Sequence, residues 1–157
     1  MRRVELYPTD VTWCRGFPAT GPLRTAFDLA GRSPLVEGVV AVDLALHTGL
    51  IDLDAFAGYV AGHARRPGVV RARQVLTHAE PRSESPMESR LRMLLVLAGL
   101  PRPEAQVDLT TPEGGFAGRA DLFYPEAQVA VEFPPHETPQ APFRGGPGVT
   151  ARTIGTV

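Results

Sequence analysis

Residues 85–136, SPMESRLRMLLVLAGLPRPEAQVDLTTPEGGFAGRADLFYPEAQVAVEFPPH, decide how this chain is organised. Ser85 is an N-cap residue, Pro86 follows where its missing N–H does no harm, and Glu88 completes a Ser-x-x-Glu capping box. Leu91, Leu94, Leu95 and Ala98 recur at helical spacing, Gly99 takes the left-handed cap, and Pro101 lies just beyond. The apolar face so made has to bury against a sheet. Strands are predicted from Val107 and Leu109, from Phe116 to Phe123 and from Gln128 to Phe133, with turn residues at 112–115 and near Pro125 and Glu126. If Pro125 and Glu126 form a two-residue loop, Asp121 lies opposite Ala130. Leu122, Val129 and Val131 then point one way, and Asp121, Ala130 and Glu132 the other. Two carboxylates on one face call for solvent, hydrogen bonds, a basic residue or a metal ion, because burying unpartnered charge is costly.

The runs SPMESRLRMLLVLAGLPRPEAQV and RADLFYPEAQVAVEF, with a histidine close behind, resemble the opening half of the very-short-patch-repair-like endonuclease domains of the PD-(D/E)XK nuclease superfamily. That resemblance implies a partial restriction-endonuclease-like fold and metal-dependent hydrolysis of DNA phosphodiesters. It also implies a catalytic set of Glu88, Asp121, Glu132 and His136, in which Asp121 and Glu132 hold Mg²⁺. The chain departs from the pattern: His136 follows Glu132 by four places where the family has six, and the intervening Asp-Gly pair is missing. All sixteen basic residues are arginine, so the superfamily's lysine has no counterpart. A half-present motif predicts impaired or absent cleavage and is what a truncated or frame-shifted gene gives. A second reading is a noncatalytic remnant that binds nucleic acid or protein, and a third is a decayed gene product.

Composition bounds the rest. A chain of 157 residues with 43% hydrophobic content holds one ordinary domain, or a domain with an appendage. There is no run of eighteen apolar residues and no hydrophobic signal core in MRRVELYPTD, which predicts neither membrane insertion nor export and hence a cytoplasmic protein. Cys14 stands alone and is assigned no role. No small-molecule cofactor is expected. A net charge of −1 gives no global attraction to DNA, so a nucleic-acid partner needs a local patch. Arg65, Arg66, Arg71 and Arg73, beside His63, read either as a phosphate-contacting patch or as a solvated helix face.

In chain order, residues 1–20 read as an extended arm with one or two short extended pieces. Residues 21–79 read as four helices, opening at Gly21-Pro22, Ser33-Pro34, Asp52 and Pro67. The stretch GPLRTAFDLAGRSPLVEGVVAVD also resembles the helical middle region of bacterial multidomain proteins that carry an antitoxin-like winged-helix module. Residues 80–84 form a polar, proline-bearing linker, 85–137 the nuclease-like part, and 138–157 an irregular tail rich in Pro and Gly. The fold class is α+β: a helical region, then a helix packed on a three-stranded antiparallel sheet, then a disordered tail.

Overall fold

The computed structural model describes residues 6–111 and 114–133, and the backbone of 150–153. The chain is α+β, as its periodicities predict, and divides into the units Met1–Pro81 and Arg82–Val157.

In the first unit a single 3-10 turn, Pro8–Asp10, leads into a hairpin of β1, Val11–Cys14, and β2, Phe17–Thr20. Arg15 and Gly16 close it with φ of 49° and 83°, both left-handed, which is the two-residue turn whose twist suits a hairpin. Every residue of the two strands is exposed, so no apolar alternation announced them in the sequence. Four helices follow: α1 Pro22–Arg32, α2 Leu35–His47, α3 Leu53–Gly62 and α4 Val69–His78. Asp52 caps α3, its Oδ1 accepting from the Ala55 amide at 3.0 Å. Phe27, Ala30, Val39, Val42, Phe56, Val60, Ala72 and Val75 are buried from all four helices.

Gly31, a residue type that usually ends a helix, lies inside α1. Its missing side chain serves packing instead: a Cβ there would lie 3.1 Å from the Gly68 Cα, and Gly68 itself sits at φ 93° just before α4. Asp43 is the polar residue among the buried positions of α2, and its Oδ1 accepts from the Glu80 amide at 2.7 Å.

The second unit begins with α5, Pro86–Leu97. Ser85 caps it as expected, accepting from the Glu88 amide at 3.2 Å, but the Glu88 carboxylate reaches one residue further back, to the Glu84 amide at 2.9 Å. The sheet has the order β3-β4-β5-β6, all antiparallel, with β3 Glu104–Thr110, β4 Phe116–Tyr124, β5 Val129–Glu132 and β6 Thr150–Thr153. Three of these are the expected strands. The fourth is a short piece of the segment read as irregular, where Thr150-Ala-Arg-Thr153 has enough β-branched character to pair with β5.

The β4–β5 register differs from the two-residue loop. Tyr124 pairs with Val129, so the loop is 125–128, and Gln128 at φ 51° turns the chain with its side chain donating to the Pro125 carbonyl at 2.7 Å. Face sorting survives because the shift is two residues in all. Leu122 and Val131 are buried with Leu91 and Ala105, and Leu95, Val129 and Tyr124 pack around them. Leu94 and Ala98 do not join that contact: Leu94 is 66% exposed, turned about 100° from Leu95 on the helix.

Candidate nucleic-acid interface

The charged residues of the first unit form two sets, one spent on the fold and one free. Asp10, fully buried, is the hub of the spent set. Its Oδ2 accepts from Arg24 Nη1 at 2.7 Å, Arg66 Nη2 at 2.9 Å and the Tyr7 amide at 3.0 Å, while its Oδ1 accepts from the Tyr59 hydroxyl. Burial pushes the Asp10 carboxyl up, but the hydrogen bonds from Arg66, Tyr59 and the Tyr7 backbone together outweigh it and hold the group well below the usual carboxylate range. Burial alone would lower Arg24, and its bonds to Asp28 and Asp10 raise it instead. The Arg66 guanidinium also lies over the Tyr7 ring at 5.1 Å.

Arg66 therefore differs from the other three arginines of its sequence cluster. Its side chain is only 10% exposed and committed to Asp10, with a further bond to the Tyr59 hydroxyl at 2.7 Å. Arg65, Arg71 and Arg73 are exposed. Among the described residues, the guanidinium groups of Arg65 and Arg73 meet no acid and no hydrogen-bond acceptor, and Arg71 reaches only the Ser33 carbonyl at 3.3 Å. On α4, Val69, Ala72 and Val75 face inward. Arg71 and Arg73 flank the outward arc that holds Val70, Gln74 and Thr77, with Arg65 in the connection before the helix. Two exposed arginines, one on each side of the outward arc of α4, and a third before the helix are candidate partners for phosphate oxygens.

The acids of the second unit lie beside protein hydrogen-bond donors. Continuing the register from Leu122 and Val131 sets Asp121 across from Glu132 on one face. Asp121 Oδ2 already accepts from the Phe133 amide at 2.8 Å, and Gln106 Nε2 stands 2.9 Å from Glu88 Oε2 and 3.5 Å from Asp121 Oδ1. Protein donors thus already engage Asp121 and Glu88. Among the described residues no group of three or more His, Cys, Asp or Glu is placed to hold a metal ion. His136 lies outside the described residues.

Residues 1–78 match the AbiEi antitoxin C-terminal domain. This match overturns the nuclease resemblance: the family model that matches is the antitoxin domain, over residues within the helical unit, and not a PD-(D/E)XK family. The error has a physical source. A capped helix followed by an acid-bearing hairpin satisfies ordinary capping and hydrogen bonding without any chemistry, as Glu88 and Asp121 do here. Two uncharacterized proteins from strains of Mycobacterium tuberculosis, MT2308 and Rv2248, are each 33% identical over 115 residues, 73% of this chain and 42% of theirs. The chain thus spans less than half the length of these curated relatives. No solved structure matches.

The unit Met1–Pro81 carries the Asp10 hub, which sequence reasoning missed. A signal was present: Arg24 falls among Leu23, Ala26 and Phe27 on the apolar side of α1, where an arginine needs a buried acid. The Arg-Gly turn between two short runs of Val, Thr, Trp and Phe was a second.

Proposed function

We propose that the chain is a noncatalytic, nucleic-acid-binding module of a toxin–antitoxin regulator, with Arg65, Arg71 and Arg73 contacting phosphates. The observation that carries this reading is the match of residues 1–78 to an antitoxin domain, over the stretch that bears these exposed arginines. An antitoxin-type regulator acts on a toxin or on the DNA that encodes the pair, and a cationic arc suits the DNA. Its place of work is then the cytoplasm; among the described residues no helix is long and apolar enough to cross a membrane. The unit Met1–Pro81 holds nine arginines against eight acids, so attraction comes from how the charges are distributed rather than from their sum.

Fluorescence anisotropy of labelled DNA across a salt series tests the reading. Affinity falls steeply as salt rises, and replacing Arg65, Arg71 and Arg73 together by Ala flattens the slope of log K against log salt by about one per arginine. Binding that is indifferent to salt, or a triple variant that binds like the parent, refutes it.

A further inference from the structure

The β1–β2 hairpin exposes Trp13 by 75% and Phe17 by 71%, on strands whose every residue faces solvent. A bare two-stranded hairpin is marginal in water, and among the described residues hydrogen bonds hold this one at its base. There the Gly21 amide donates to the Asp10 carbonyl at 2.8 Å, the Thr20 and Thr25 hydroxyls meet at 2.8 Å, and Asp10 binds Arg24 and Arg66. The tip serves no core.

Its composition points outward. Arg15 adopts φ 49°, a conformation that Asn, Asp or Gly takes far more cheaply in this turn, and its guanidinium has no partner among the described residues. From Val11 to Phe27 the sequence has no acid, and Arg15 carries the charge at the tip. Trp13 pairs with Pro18 and shares its face, whereas Phe17, paired with Cys14, lies on the other. A protein strand added to the edge would find four-residue strands and, at Pro18, a missing N–H. An isolated aromatic ring beside an unpaired cation suits a nucleobase and its phosphate.

We propose that the hairpin tip binds unpaired bases of a nucleic acid, Trp13 stacking on a base and Arg15 holding an adjoining phosphate. The inference rests on the nucleic-acid reading of the α4 face and extends it from backbone contact to base contact. The Arg66–Asp10 ion pair fixes the root of β1 beside the connection that carries Arg65, and Trp13 lies about 10 Å further along the strand, so one ligand strand can meet both.

Trp13 is the only tryptophan, so its fluorescence reports on the site directly. Titrating the full chain with oligothymidylate of about twenty nucleotides, beside a duplex of equal length, should give saturable quenching by the single strand alone. Trp13→Ala should weaken single-strand binding about tenfold and leave the salt slope unchanged. Arg15→Asn should raise the melting temperature, by relaxing the turn, while lowering affinity; a purely structural residue would not separate the two. If single-stranded DNA binds by anisotropy but the fluorescence and the Trp13→Ala affinity do not move, the hairpin proposal fails and the α4 reading stands. If no DNA binds, both fail. A fluorescence that changes with protein concentration alone makes the hairpin a self-association face and also overturns the proposal.

Discussion

Asp10 is buried against two guanidinium groups and a phenol, so its loss takes from Arg66 the acid it binds and leaves Arg24 with Asp28. Asp10→Asn keeps the shape and removes the charge, and should destabilise the protein by about 3–5 kcal/mol at pH 7, read by urea unfolding. The pH dependence has a definite sign. Because the folded Asp10 titrates below the ordinary 3.8, its contribution is fully present above that value and is lost as pH falls through the lower, folded value. The stability gap between parent and variant should therefore stay constant from pH 7 to 5 and close only in strong acid. A gap that opens on acidification would contradict the ion-pair account. Gly68 is the other position where one atom decides: at φ 93°, with a Cβ falling 3.0 Å from the Gly31 Cα, Gly68→Ala should cost about 1–3 kcal/mol by the same measurement.

At the level of elements, α5 separates a packing face from an exposed one. Leu91 is buried on the sheet and Leu94 is 66% exposed, although both fit the apolar spacing. Leu91→Ala should cost about 2–4 kcal/mol and Leu94→Ala less than about 0.5, in parallel thermal melts. The helices were legible because caps and breakers bracket them: Ser85, Asp52 and Pro22 begin elements close to where the sequence sets them. Which leucine faces inward was not, since a helix with leucines at 91, 94, 95 and 97 has apolar residues over more arc than one sheet face covers. The first hairpin was hidden for the opposite reason. With both faces wet, its strands carry no alternation, and only the two-residue turn marked it.

For the whole molecule, the candidate interface was half legible. Spacing along the chain picked out Arg65, Arg71 and Arg73, but it had no means of showing that Arg66, next to Arg65, answers to an acid fifty-six residues away. For the acids of the second unit, sequence shows carboxylates and not the groups that bind them, such as the Phe133 amide on Asp121. Adding millimolar Mg²⁺ should leave the melting temperature unchanged, and a rise that Asp121→Ala abolishes would instead establish a cation site there. Residues 1–81 should fold alone, because the buried residues of α1 to α4 and all the partners found for Asp10 lie within them; helical circular dichroism with a cooperative melt would show it.

Contiguity of the two units along the chain also sets an order of birth. At about 5–20 residues per second, a ribosome spends roughly 4–15 s on the stretch Arg82–Val157 after Pro81 is joined. A small helical unit folds well inside that interval. The Asp10 clasp, the arginine arc and the hairpin tip are then assembled while the strands of the sheet are still being translated.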